Sequence, residues 1–129
     1  MPTGSGPSML RNPAAVAHAV TAARAGKVRG DRWAPPAAYA HGQWPKANFD
    51  DIADPGMRHA LATTQDWVRA LRHARSDARL SIRHIARQAS TSVNAVSEIE
   101  LGARWPSLPL ILRLSHVLDV DISITSPQS

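Results

Sequence analysis

Residues 80–100, LSIRHIARQASTSVNAVSEIE, restrict the fold more than any other stretch of this chain. They hold two short apolar-periodic runs, each opened by a hydroxyl residue. Ile82, Ile85, Ala86 and Ala89 recur at i, i+3, i+4 and i+7, one face of a two-turn helix. Ser81 precedes them, and its oxygen can accept a bond from an orphan amide of the first turn. Ser90, Thr91 and Ser92 interrupt the pattern. Ser92 or Thr91 can then cap a second run, Val93–Glu100, whose apolar positions are Val96 and Ile99. Helices this short are marginal in water, so each must bury its face against neighbours. A helix pair on a three- to four-residue turn is also the unit that lays a second helix in a DNA groove.

The neighbours are visible on both sides. Upstream, a short helix over residues 55–62 is expected to lead through Thr63 and Thr64 into a longer one over residues 65–77, with Trp67, Val68, Leu71, Ala74 and Ala78 inward. Downstream, residues 101–106 form a turn in which Gly102 suits a positive φ after a helix. Ser107 caps a further helix, with Pro109 tolerated in its first turn and Leu108, Ile111, Leu112, Leu114, Val117 and Leu118 as a wide apolar stripe. Residues 120–125 alternate with period two and are β-branched at every apolar position, the pattern of a short strand. Such a strand after a run of helices suggests pairing with a second copy.

The charge is concentrated. The chain has a formal net charge of +5, and Arg69, Arg72, Arg75, Arg79, Arg83 and Arg87 are accompanied by Asp77 as the single acid in their stretch. Arginines on short helices can be a solvated face, but this many beside a second short helix point towards phosphate. With no cysteine, disulfides and thiolate zinc sites are excluded, which suits a reducing cytosol. No apolar run approaches the roughly 18 residues of a membrane span. The first thirty residues show no secretory pattern, so a cytoplasmic, nucleoid-associated location is expected.

Before residue 63 the reading is of an extension. Residues 1–11 are rich in Gly, Pro and Ser. Asn12-Pro13 can open an alanine-rich helix over residues 14–25, closed by Gly26. Arg11, Arg24, Lys27 and Arg29 make this a loosely ordered tail or a basic arm. Residues 31–55 carry Pro35, Pro36, Pro45 and Pro55, which argue against regular helix or central strand. Trp33, Tyr39, Trp44 and Phe49 are unusual for a linker, and dock on the folded domain or on a partner. Asp50, Asp51 and Asp54 form a DDxxD pattern that elsewhere holds magnesium; Asp54-Pro55 instead reads as the cap and first residue of a helix.

From Trp67 to Val120 the chain resembles the phage repressor/Cro-type (XRE-type) helix-turn-helix family. Leu71, Arg75, Leu80-Ser81, Ile85-Ala86, Val96, Ile99-Glu100, Gly102, Pro106-Ser107-Leu108, Leu114, Leu118 and Val120 carry the resemblance, in order and at the family's spacing. It implies an all-α, four-to-five-helix repressor-like domain at residues 63–121. A mostly irregular, partly disordered extension with one or two short helices lies at 1–62, and a strand or tail at 122–129. It also implies an ion pair between Arg75 and Glu100, which the chemistry of the two groups makes bidentate and partly buried. By position it assigns base contacts to Ser92, Val93, Asn94, Ser97 and Glu98. Asparagine suits adenine, valine a thymine methyl and glutamate cytosine N4; for Glu98 an outward helix residue is the competing reading. Arg79, Arg83, Arg87 and Arg104 are the phosphate candidates. Ile82 departs from the family, which places a phosphate-binding glutamine there. Ser90 stands where glycine is common, and Thr91 where an apolar residue is common.

Three functions follow as expectations. The first is a sequence-specific regulator, a repressor, that binds double-stranded DNA as a homodimer on an inverted-repeat operator. The second is an antitoxin that also holds a toxin or other protein through the N-terminal extension. The third is a protein-interaction module that has lost DNA binding, motivated by Ile82 and Glu98. An enzyme is the reading with least support: His18, His41, His59, His73, His84 and His116 fall in no zinc-ligand spacing, and no cofactor or metal site is expected.

Overall fold

The structure, a computed structural model, describes Val20 and residues 33–122. Four α-helices lie among the described residues: α1 (Pro55–Asp77), α2 (Ile82–Gln88), α3 (Val93–Glu100) and α4 (Leu108–Leu118), preceded by a 3-10 turn at Pro36–Tyr39. No strand occurs among them. Val120 to Ile122, the start of the expected strand, have neither helical nor strand structure, and its remainder lies outside the described residues, as does the helix expected over 14–25 apart from Val20.

Each helix starts on a side-chain cap. Asp54 Oδ2 accepts from Met57 N, Ser81 Oγ from His84 N, Ser92 Oγ from Ala95 N and Ser107 Oγ from Leu110 N. Each satisfies an amide that the helix cannot pair internally. The Asp54 carboxylate of the DDxxD pattern is thus engaged in capping, with Pro55 at the first helical position.

The α1 helix corrects the expected break at Thr63-Thr64. It runs unbroken through 23 residues, so the expected limit between residues 62 and 63 falls inside it. One inward stripe serves two cores, which is why a single helix suffices. Met57 and Leu61 enter one core; Trp67, Val68 and Leu71 enter the other. Between the two sets lies Gln65, buried, whose Oε1 accepts the Ala47 N–H at 2.8 Å. Ala78 is exposed beyond the helix end rather than part of the stripe.

The first core joins α1 to α2, α3 and α4 through Ile85, Ala86, Ala89, Val96, Ile99, Leu110 and Leu114. Trp67 is a core residue whose Nε1 donates to Ser115 Oγ of α4 at 2.9 Å. Of the stripe expected on α4, Ile111, Leu114, Val117 and Leu118 pack on the first core, and two leucines depart from it. Leu110 and Leu114 are buried, while Leu108 and Leu112 are 66% and 52% exposed. Leucines at 108, 110, 112 and 114 leave the face undetermined by periodicity, and the Trp67–Ser115 bond is one contact that selects it.

Of the two places expected for the aromatics of residues 31–55, they take the folded domain, where they build a second core. Ala34, Tyr39, Ala40, Ala47, Phe49 and Ile52 pack on Met57 and Leu61, with Val20, Trp33, Trp44 and Trp105 partly buried against them. Residues 33–54 are therefore folded onto the helices with little regular structure. Arg58 Nη1 donates to Ile52 O at 2.7 Å and holds the segment where it turns into α1.

Candidate nucleic-acid interface

The α2–α3 unit places the candidate site. All four helices end in the same way, with a left-handed residue after the last turn and paired bonds back into the helix. After α2, Thr91 N donates to Ala86 O and Ser90 N to Arg87 O; after α3, Ala103 N donates to Glu98 O and Gly102 N to Ile99 O. This is the Schellman arrangement. The left-handed residues are Arg79, Ser90, Gly102 and Asp119, with φ of 56°, 57°, 73° and 55°. Ser90 thus holds the conformation for which glycine is the common choice.

The five residues assigned to base contact are not equivalent. Asn94 is exposed in the first turn of α3. Ser92 is exposed but spends its hydroxyl oxygen on the cap. Val93 is half-buried against the first core, and Ser97 is half-buried one turn on. Glu98 faces Arg104: its Oε1 is closed off from solvent and lies 2.8 Å from Arg104 Nη2. Two candidates assigned to different roles therefore meet in one ion pair. Arg79, Arg83 and Arg87 are exposed.

The second acid of α3 is also held by arginine. Arg75 Nε donates to Glu100 Oε2 and Arg75 Nη2 to Glu100 Oε1, both at 2.8 Å, while Arg75 Nη1 reaches Leu80 O at 3.3 Å. Arg72 Nε adds a charge 3.8 Å from Glu100 Oε1. The Glu100 side chain is only 7% exposed. The hydrogen bond to Glu100 raises the Arg75 guanidinium above its ordinary range; partial burial opposes this and the carboxylate charge adds to it. Between Arg79 and Arg104 the acids are Glu98 and Glu100, and both have an arginine counter-charge. The outward charge of the unit is thus set by Arg79, Arg83 and Arg87.

Ile82 is half-buried against the first core, so the residue at the place of the phosphate-binding glutamine serves packing. Sequence reasoning missed the contacts that the extension makes at the end of α3. Trp44 Nε1 donates to Glu100 O at 3.2 Å, Ala37 N to Gly102 O at 2.8 Å and Trp105 Nε1 to Ala34 O at 2.7 Å. The available signal was four aromatics in a proline-rich stretch, which has no periodicity to say where they dock.

Residues 68–123 match a family model described as a helix-turn-helix domain. The match covers α2, α3 and α4 with the C-terminal part of α1, and agrees with the repressor/Cro-type resemblance. Fold and match together define this part of the chain as a helix-turn-helix domain, a class that supports DNA binding. No curated protein and no solved structure matches the chain. Among the described residues no helix is long and apolar enough to cross a membrane, and no group of three His, Asp or Glu side chains is placed to hold a metal ion.

Proposed function

We propose that this protein is a sequence-specific DNA-binding transcriptional regulator, a repressor, that sets α3 into the major groove. The observation that carries the reading is electrostatic. The α2–α3 unit exposes Asn94 and three arginines while both of its acids are neutralised from within. Asn94 reads adenine in a bidentate contact, with Ser92, Val93 and Ser97 beside it; Glu98 can accept from cytosine N4 in the orientation that Arg104 gives it. Arg79, Arg83, Arg87 and Arg104 contact phosphates on either side.

A symmetric dimer on an inverted repeat suits this unit, because two such helices about one DNA turn apart meet successive major grooves. Leu108 and Leu112, exposed and four residues apart on α4, offer an apolar face for a second copy. The antitoxin reading rests first on the terminal strand, most of which lies outside the described residues. It rests second on an aromatic-bearing segment that could wrap a partner; of those aromatics, Tyr39 and Phe49 are buried in the chain's own second core. The interaction-module reading relied on Ile82 and Glu98, and both have structural partners here.

Selection of duplexes from a random-sequence library, followed by mobility shifts at two salt concentrations, tests the proposal. Specific binding is expected to weaken steeply with salt. Removing Arg83 or Arg87 lowers the slope of log affinity against log salt by about 1 each. Asn94→Ala costs about 1–3 kcal/mol of discrimination at one base pair. No duplex recovered, or salt-insensitive binding, overturns it.

A further inference from the structure

We infer that Trp44 and residues 34–44 are a clamp that positions the DNA-facing loop after α3, so that the extension is part of the reading head. The inference rests on the DNA-binding reading for its functional consequence. It starts from the last carbonyls of α3. Ser97 O, Glu98 O and Ile99 O accept from Leu101, Ala103 and Gly102 in the local turn, whereas Glu100 O accepts from the Trp44 indole. A helix end leaves its final carbonyls without internal partners, and here the extension supplies one.

Gly102 gives the second observation. Arg79, Ser90 and Asp119 show that this fold accepts residues with a Cβ in the same left-handed turn. At Gly102 a Cβ would stand 2.9 Å from Cδ1, Cδ2 and Cε2 of Trp44. The glycine is therefore needed for the close approach of the indole as well as for its φ. On the other side, the Gly102 carbonyl accepts the Ala37 N–H, and three residues further on Trp105 is tied to Ala34 O. Ala103 and Arg104 lie between these anchors. Arg104 meets Glu98, whose own carbonyl takes the Ala103 N–H. The clamp thus fixes the backbone from which the Arg104 guanidinium and the Glu98 carboxylate project, and Trp44 is a positioning residue.

The experiment uses the full chain with Trp44→Ala, Trp44→Phe and Gly102→Ala. Amide exchange is followed at Gly102 and Ala103. Thr91, whose bond to Ala86 O closes the equivalent turn on α2, is the internal control. Trp44→Ala is expected to speed Gly102 and Ala103 exchange by roughly tenfold while Thr91 changes little, as for loss of a local anchor. Trp44→Phe falls between, keeping a ring without the N–H, and Gly102→Ala follows Trp44→Ala. On a duplex selected with the wild-type chain, Trp44→Ala weakens binding and lowers the salt slope by about 1, the loss of one phosphate contact. Arg104→Ala lowers it equally, and the double variant lowers it no further. Unchanged exchange at Gly102 and Ala103, or an equal rise at Thr91, overturns the clamp, and so does a salt slope that Trp44→Ala leaves intact. If the wild-type chain selects no duplex, the DNA reading fails on its own, and the exchange comparison still decides whether Trp44 holds the loop.

Discussion

The α2–α3 pair and the segment of residues 33–54 both bury apolar side chains, but they are ordered by different means. In the pair, side chains at helical spacing enter the first core and serine caps close the helix starts. In the segment, single side chains bond to distant backbone: Trp44 to Glu100 O, Trp105 to Ala34 O and Gln65 to Ala47 N–H, across 56, 71 and 18 residues of chain. The pair is specified locally and needs only a surface to pack on. The segment is specified by where the helices already are. It therefore depends on the helix-turn-helix unit for its shape, and the contacts at Glu100 and Gly102 return the dependence.

The sharpest way to break this comparison is to cut into each core separately. Phe49→Ala in the second core and Leu71→Ala in the first should each cost about 3 kcal/mol or more, since both are nearly or fully buried. Because α1 and Trp44 run between the cores, each variant should shift one common unfolding transition measured by circular dichroism and tryptophan fluorescence. Two separated transitions, with Phe49→Ala moving only one, would show that residues 33–54 fold as an appendage.

The pair between α1 and α3 gives the next largest effect. Arg75→Ala leaves a carboxylate that is only 7% exposed without its bidentate partner. Arg72, at 3.8 Å, can take over part of the charge. The expected loss is about 2 kcal/mol, below the cost of stranding a fully buried ion. Arg75→Lys should recover only part of it, because an ammonium cannot bridge both oxygens. A chemical-denaturation midpoint that Arg75→Ala leaves unmoved would show that Arg72 is a full substitute.

What could be read from the chain follows the same division. The four caps, the inward residues of α2 and α3, and the turn at Gly102 are local and were legible as spacing and residue type. The unbroken α1 was not, because Thr63 and Thr64 look like a boundary until the stripe from Met57 to Leu71 is seen to face two cores. The face of α4 was legible in part: Ile111, Leu114, Val117 and Leu118 pack inward as expected, but alternating leucines left open which of Leu108, Leu110 and Leu112 is buried. At the candidate interface the residue types were legible and their partners were less so. Glu98 and Arg104 come from different elements and were assigned to bases and to phosphates, whereas the fold sets them 2.8 Å apart. Pairings that cross from one element to another leave no trace in periodicity.

The smallest effect separates conformation from contact at two turns of the same geometry. Ser90 and Gly102 have φ of 57° and 73° and close α2 and α3 with the same pair of bonds. A left-handed residue with a Cβ costs about 1–2 kcal/mol, while glycine gives the unfolded chain roughly 0.5–1 kcal/mol of extra freedom to lose. The balance favours Ser90→Gly by about 0.5 kcal/mol, a rise of a few degrees in melting temperature at most. Ser90 is exposed, so no lost packing offsets the gain. Gly102→Ala should move the other way and further, because it adds the same conformational cost and also drives a methyl into the Trp44 ring. If the two substitutions instead gave equal and opposite shifts, conformation alone would account for both turns. The indole would then play no part in the choice of glycine at 102.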